Sequence, residues 1–525
     1  MKSVDRLYGI RNRFGADPVS EKIELLARLS ASPIKAGPAL KKLHAALCCL
    51  AAFPDNAQVH AAALDGLDKF SSRVKGKVRR SLSNTGIVGT MLDETYEYDE
   101  ARWLDEHYGS SASIQWPDFE NPERLDEALA PCLLPAEEAA FEEGEVSTRE
   151  WMDAAGGCSQ RTDHGWLLDR LEGSVGDARM RARLYEQAEI PVRWNLSQSS
   201  ASITLNRLSE VKPFYRSAGM RRATGSAARA IARPTRSVKL LSIKRAKKVI
   251  DVAMAALLAR GRSVYAITYG SPQEVYWADL GAGVGLAVIG VPPEKRFSLE
   301  GHYGYMAFSN GVPIAYGGAS PLFGQINTGL NLFPEYRGTE AAFLFVEILR
   351  AFRSLFLYRH AYADAYQIGG EGNMEALRSG AFWLYYRLGF RPVESEIRKI
   401  ASKEFERLRR GKGRRSSVAT LKKLSECGVK LTLPVSGPAF FPENRLVGIS
   451  LAATKAIAGR RDSYRGRDAL APIIAAIPET ARWTSAQKRA LSALRRAKGK
   501  SRELEFVRLA RLHSRLIQAL ASIPI

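Results

Sequence analysis

The sequence predicts a mixed α/β fold joined to mainly helical N-terminal and C-terminal regions. Three observations lead there. Apolar runs of strand length alternate with helix-period stripes between residues 263 and 393, in the order β-β-β-α-β-α-β. Asn310-Gly311 separates two of those runs, a strong hairpin signal because both turn positions need φ > 0. Before and after this stretch, apolar residues recur at helical rather than alternating spacing. A chain of 525 residues can bury several cores, and 46% hydrophobic with 25% charged residues excludes wholesale disorder and fibrous repeats.

Leu40, Leu43, His44, Leu47 and Leu50 recur at helical spacing, Pro54-Asp55-Asn56 breaks the pattern, and Val59, Ala63, Leu64, Leu67 and Phe70 resume it. This predicts a helical hairpin with His44 as a satisfied core histidine. Pro117, Pro122, Pro131 and Pro135 cut the next stretch into short helices and loops. Strands are expected at 191–196 and 201–205. Ile250, Ala253, Met254, Leu257 and Leu258 form a helical stripe that Gly261 stops. Further strands are expected at 263–269, 303–308, 313–318, 326–333 and 358–366, helices at 339–356 and 374–388, and a last strand from 390–393. A C-terminal helix, 502–521, places Phe506, Leu509, His513, Leu516 and Leu520 on one face and Arg508, Arg511 and Arg515 on another.

Four regions follow: a helical region 1–150 with an acidic segment at 91–150, a mixed basic connecting region 151–262, the α/β unit 263–393, and a basic helical extension 394–525. Formal net charge is +22, yet residues 91–150 hold 18 acidic and 3 basic residues. The positive charge gathers at 207–262, with 15 basic and 2 acidic residues, and at 391–430, with 13 and 5. Such blocks suit phosphate-rich partners, nucleic acid included, or dock on the chain's own acidic segment. Residues 1–15 carry Lys2, Asp5, Arg6, Arg11 and Arg13 with no apolar run, unlike a signal peptide, and no stretch reaches the roughly 18 apolar residues of a membrane span. Cys48, Cys49, Cys132, Cys158 and Cys427 lack CxxC spacing, which argues against a disulfide framework or a zinc site and for a cytoplasmic location.

The stretches HYGYMAFSNGVPIAYGGAS, PEYRGTEAAFLFVEIL and SGAFWLYYRLGFRPV resemble the core of the GNAT acyltransferase superfamily, over about a quarter of the chain. That resemblance implies a mixed sheet with flanking helices, acetyl-coenzyme A or another acyl-coenzyme A as co-substrate, and an amine acceptor, small molecule or protein. In the family an Arg-x-x-Gly-x-Gly/Ala turn exposes backbone N–H groups at a helix N-terminus, where they cradle the pyrophosphate of coenzyme A. The matching residues are Arg337, Gly338, Thr339, Ala341 and Ala342. Tyr385, in Tyr-x-x-x-Gly-Phe, matches the tyrosine that protonates the departing thiolate, a phenol of suitable acidity for that task; Tyr386 stands beside it. Glu335, His302, His360 and Asp364 are candidates for the general base, with Glu335 best placed at the end of the central strand.

Two departures bear on this. Glu340 replaces the first glycine of the turn, and a carboxylate about 4 Å from a phosphate costs roughly 4 kcal/mol at an effective dielectric of 20. It must pair with Arg337 or point away, or the turn is closed to coenzyme A and the fold is a binding or scaffolding module. Arg378 stands seven residues before Tyr385, where relatives often carry asparagine; Asn373 would need an insertion to serve. Gly281-Ala282-Gly283-Val284-Gly285 reads as a turn rather than a phosphate loop, since no Lys-Ser/Thr follows. Cys158 near Asp163-His164 lacks the elbow motif of a nucleophile.

Overall fold

In a computed structural model of the chain, the residues described are 2–142, 146–157, 159–197, 199–209, 211–235, 237–296, 301–411, 415–441, 451, 484–496 and 502–512. The fold is mixed α/β, divided into two units: Met1–Glu210, Tyr215–Ser217 and Asp251–Ser263 form one, and Val211–Phe214, Ala218–Ile250 and Val264–Ile525 the other. No helix among the described residues is long and apolar enough to cross a membrane.

The first unit opens with α1 (Lys2–Ile10), α2 (Ala16–Ala31), α3 (Gly37–Ala52), α4 (Ala57–Asp68) and α5 (Gly76–Ser81). The expected helical hairpin is α3–α4: Leu40, Leu43, Leu47 and Leu50 are buried, and Asn56 caps α4 by accepting the Val59 N–H at 2.8 Å. In the turn between them Asp55 binds Lys22 of α2 through both carboxylate oxygens, at 2.9 and 2.8 Å, with both side chains fully buried. Lys22 also donates to the Arg13 carbonyl at 2.7 Å, so the buried pair is hydrogen-bonded as well as neutralised. His44 is a core histidine, its Nε2 2.9 Å from Thr204 Oγ1 and its ring edge-on to Phe70.

A small antiparallel sheet follows: β1 (Met91–Thr95), β2 (Ala112–Ile114) and β3 (Pro191–Asn195), with β3 in the middle. Around it pack α6 (Tyr98–Tyr108), α7 (Glu123–Leu129), α8 (Pro135–Glu142), α9 (Thr148–Gly156), α10 (Asp163–Ser174) and α11 (Ala178–Gln187). The acidic segment is thus short helices, as expected, plus two strands too short to show an alternating pattern, the first of them also carrying Asp93 and Glu94. Its carboxylates pair with arginines outside both basic blocks, Asp93 with Arg193 (2.6 Å), Asp105 with Arg161 (2.6 Å) and Glu137 with Arg170. The strand expected at 201–205 is a run of turns instead. Ser202, Leu205 and Asn206 close bonds onto Ser199 and Ser202 carbonyls, the local alternative that Ser- and Asn-rich segments offer to a ladder.

In the second unit come α12 (Ala227–Ala232), β4 (Val238–Leu240), α13 (Ile243–Leu258), whose last residues belong to the first unit, and α14 (Tyr265–Thr268). The strand expected at 263–269 is therefore the short helix α14, because Ile267, Thr268 and Tyr269 N–H groups bond to Val264 and Tyr265 carbonyls. Four strands form two hairpins, β5 (Val275–Gly281) with β6 (Val284–Gly290) and β7 (Tyr303–Ser309) with β8 (Val312–Leu322). Asn310 and Gly311 make the two-residue turn of the second, at φ +48° and +80°. The Gly281–Gly285 stretch is the turn of the first.

The expected strand 326–333 is divided into β9 (Gln325–Thr328) and β10 (Asn331–Leu332), both antiparallel to β8. Helix α15 (Ala341–Phe356) then crosses over to β11 (His360–Ala363), which pairs parallel with β9 from His360 to Tyr362. Its apolar stripe covers the sheet, with Phe352 edge-on to Tyr305 and Phe356 against Tyr303. The expected strand 358–366 is shorter because Asp364 caps α16 (Ala365–Ile368) through the Gln367 N–H. Gly380, at φ +70°, breaks the expected helix 374–388 into α17 (Met374–Ser379) and α18 (Ala381–Arg387). After β12 (Arg391–Pro392), α19 (Ser395–Arg409) and α20 (Val418–Leu424), β13 (Val429–Thr432) returns between β11 and β12. The main sheet runs β12-β13-β11-β9-β8-β7-β6-β5-β4, with β10 on β8, so one edge strand, β4, and one interior strand, β13, come from outside 263–393.

Of the C-terminal helix, Glu503–Leu512 is described, while His513, Leu516 and Leu520 lie outside the described residues. Glu503 is buried against Arg296 and accepts the His302 N–H at 3.1 Å, and Glu274 accepts the Leu504 N–H at 3.1 Å. Burial pushes the Glu503 carboxyl up to about 7.

The first unit holds a second fully buried histidine. His164 meets Tyr185 Oη at 3.0 Å, and burial pulls its pKa down to about 4. The folded chain keeps this imidazole neutral where the unfolded chain protonates it, so its contribution to stability is complete above about pH 6.5 and is lost as pH falls toward 4. Urea unfolding is expected to show roughly 3 kcal/mol of such loss across that window, absent in His164→Gln. Identical pH profiles for the two proteins would refute it.

Candidate functional site

Glu335 and the turn residues singled out in the sequence lie where β10 leads into α15. Pro334–Tyr336 is a single 3-10 turn carrying Glu335, half-buried. Arg337 is exposed and extended, and Gly338 follows at φ +82°, a left-handed backbone that glycine adopts without strain. Thr339 folds back, its hydroxyl donating to the Tyr336 carbonyl at 2.6 Å. Glu340 is the N-cap residue of α15, and Ala341 and Ala342 form its first turn.

Glu340 does not cap its own helix. Its carboxylate is buried and taken by Arg221, which donates from its backbone N at 2.7 Å, from Nε at 3.1 and 3.0 Å, and from Nη2 at 2.8 Å. Arg221 Nη1 donates onward to the Leu280 and Gly281 carbonyls at 3.1 and 3.2 Å, and its guanidinium lies 4.1 Å from the centre of the Phe343 ring. The charge of Glu340 is matched by a fork-shaped partner with its geometry fixed on three sides. Arg337, the partner expected from sequence, instead reaches Glu375 of α17. With the carboxylate drawn aside, no side chain caps α15, and the N–H groups of Ala341, Ala342 and Phe343 have no hydrogen-bond acceptor among the described residues.

Tyr385 of α18 is fully buried, edge-on to Phe345 of α15 and to Phe390. Its oxygen accepts the Leu330 N–H at 3.1 Å, between β9 and β10. Tyr305 donates to the neighbouring Gly329 carbonyl, so two phenols occupy the backbone groups where the strand is interrupted. Burial raises the Tyr385 pKa well above that of an ordinary phenol, which keeps it protonated but makes it a weaker acid than the phenol expected from sequence, and among the described residues no acceptor takes its proton. Tyr386 points elsewhere, stacked on Phe382 with the Arg391 guanidinium 4.0 Å from its ring centre.

The remaining candidates are held in structural roles. His360 meets Thr432 Oγ1 and the Pro438 carbonyl, each at 3.1 Å, and Asp364 caps α16. His302 stands 3.3 Å from Ser320 Oγ, its pKa lowered by burial to about 4. Asn373 caps α17, and Arg378 is exposed. Asp163 accepts from the Ile114 N–H and Trp116 Nε1 rather than from the His164 ring, and Cys158 lies outside the described residues. No three His, Cys, Asp or Glu side chains gather at metal-ligating distance among the described residues.

Arg221 is the one participant that sequence reasoning missed. It lies 119 residues before Glu340 in an irregular basic stretch, and the only available signal was the carboxylate itself, which needs a cation if buried. No protein-family model matches the chain, and no curated protein or solved structure matches it.

Removing Arg221 leaves a buried, uncompensated carboxylate. Arg221→Ala is expected to destabilise the second unit by roughly 3–5 kcal/mol and Arg221→Ala/Glu340→Gln by distinctly less, as measured by denaturant unfolding. Equal losses would mean that the pair is not a unit.

Proposed function

We propose that the chain is an acyl-coenzyme A-dependent N-acyltransferase of the GNAT type, transferring an acyl group to an amine. The observation that carries this reading is the withdrawal of Glu340 by Arg221, because it neutralises the carboxylate at the N-cap of α15, which would otherwise repel a pyrophosphate there. What remains there suits the group: exposed Arg337 and Gly338, a left-handed turn, and N–H groups of Ala341 and Ala342 at the positive end of a 16-residue helix. The order of elements supports it too, a hairpin, a strand, the helix α15 and a parallel strand, with α18 and the Gly389-Phe390 turn following.

In this reading Arg337, Gly338, Thr339, Ala341 and Ala342 hold the pyrophosphate, and the bound co-substrate supplies the acyl thioester. Tyr385 holds a proton on Oη with no competing acceptor among the described residues, and delivers it to the leaving sulfur as the amine attacks the acyl carbon. Glu335, half-buried on the turn that precedes Arg337, is the base for the amine.

Titration calorimetry with acetyl-coenzyme A is expected to give micromolar binding, lost in Gly338→Val, where a β-branched residue would have to adopt φ +82°. Tyr385→Phe should leave that affinity nearly unchanged and slow thiol release, assayed against a panel of amines, by about 10²-fold. Absence of binding by the wild-type chain would overturn the reading. An unaltered rate in Tyr385→Phe would remove the assigned acid.

A further inference from the structure

A second place in the same unit is built for anions, and its wall shares no residue with the α15 turn. A cavity of about 570 Å³ is lined by Gly225–Ala228, by Arg387 and Gly389 at the end of α18, by Arg391 of β12, by Arg398 of α19 and by Lys430 and Thr432 of β13. Both basic blocks of the sequence contribute to its wall, Gly225–Ala228 from the first and Arg391, Arg398 and Lys430 from the second.

Four cationic residues line this volume, and none of them pairs with a carboxylate among the described residues. Two are fixed in place by groups that do not cancel their charge. Arg391 Nη1 donates to the Tyr386 and Phe390 carbonyls at 2.8 and 2.7 Å, with its guanidinium over the Tyr386 ring, and Arg398 donates to the Pro392 and Val393 carbonyls, both at 3.2 Å. Arg391 and Lys430 stand opposite each other in register on adjacent strands, where like charges repel. Lys430 is half-buried, 4.7 Å from the Phe440 ring centre, and both burial and the field of Arg398 lower its pKa. Preorganised guanidinium groups beside a strained ammonium, in a volume of ligand size, are what a polyanion relieves.

We propose that this cavity binds a ligand carrying two or more phosphate groups, held by Arg387, Arg391, Arg398 and Lys430. One phosphate matches at most two of the four charges, which is why more than one is required. The same chemistry is offered by a soluble oligophosphate and by the backbone of a polynucleotide.

The test uses the full chain carrying Gly338→Val, so that pyrophosphate binding at the α15 turn does not contribute and the outcome is read separately from acyl transfer. Probes are inorganic pyrophosphate, by calorimetry, and a 20-nucleotide single strand, by fluorescence anisotropy, each at 50 and 200 mM salt. Arg387→Glu/Arg398→Glu alters exposed side chains only, and Arg391→Gln/Lys430→Gln relaxes the cross-strand repulsion; thermal melting checks that both fold. Each pair is expected to weaken binding by at least tenfold, while Lys244→Gln/Lys247→Gln on α13, outside the cavity wall, leaves it unchanged. For the oligonucleotide, the slope of log affinity against log salt should fall by about 1.4 in Arg391→Gln/Lys430→Gln, as two contacts are lost. Weakening of both probes identifies an oligophosphate site, and weakening of the oligonucleotide alone identifies a backbone site; either supports the proposal. No binding by the Gly338→Val chain, no effect of the cavity substitutions, or an equal effect of the α13 pair overturns it.

Discussion

Parallel pairing between β9 and β11 spans only three residues on each strand, Gln325–Asn327 against His360–Tyr362, yet it organises the whole second unit. Two parallel neighbours cannot be joined by a tight turn, so the chain must cross over, and α15 is that crossover. The length of the helix, the apolar stripe it lays on Tyr303 and Tyr305, and the position of its N-terminus beside Gly338 all follow from having to return to the start of β11. Because the pairing stops at Asn327 and Tyr362, the backbone beyond it on β9 needs other partners. Tyr305 and Tyr385 supply them.

Charge is handled by one rule in several places. Lys22 with Asp55, Glu340 with Arg221 and Glu503 with Arg296 each place an ion pair out of water, and each adds hydrogen bonds to backbone groups nearby. Such pairs contribute little net stability compared with apolar packing, but a lone member is severely penalised, so each pair fixes which segments meet. Arg221 in this way ties an irregular stretch to the β5–β6 turn and to the start of α15 at once.

Features set by local chemistry were legible in the sequence. Asn310-Gly311 demands a two-residue turn, the stripe at 339–356 a helix, and Pro54-Asp55-Asn56 a break between helices; all three are present. Features set by distant residues were not. The segments at 201–205 and 263–269 have strand-like composition, but no neighbouring edge takes up their backbone as a ladder, and local bonds prevail. Gly380 divides a continuous helical stripe by its backbone alone. In the candidate site the turn and Tyr385 could be read from spacing, whereas the partner of Glu340 could not, since nothing within 100 residues specifies Arg221.

The gap between β9 and β10 has a particular geometry. Thr328 faces Ala319 before it and Asn331 faces Tyr316 after it, so three steps on one strand match three on the other. No residue is inserted, and the interruption is an unzipped stretch rather than a bulge. Opening or closing it shifts no side chain to the opposite face of the sheet. The gap and its closure are therefore compatible with one and the same register of the other eight strands.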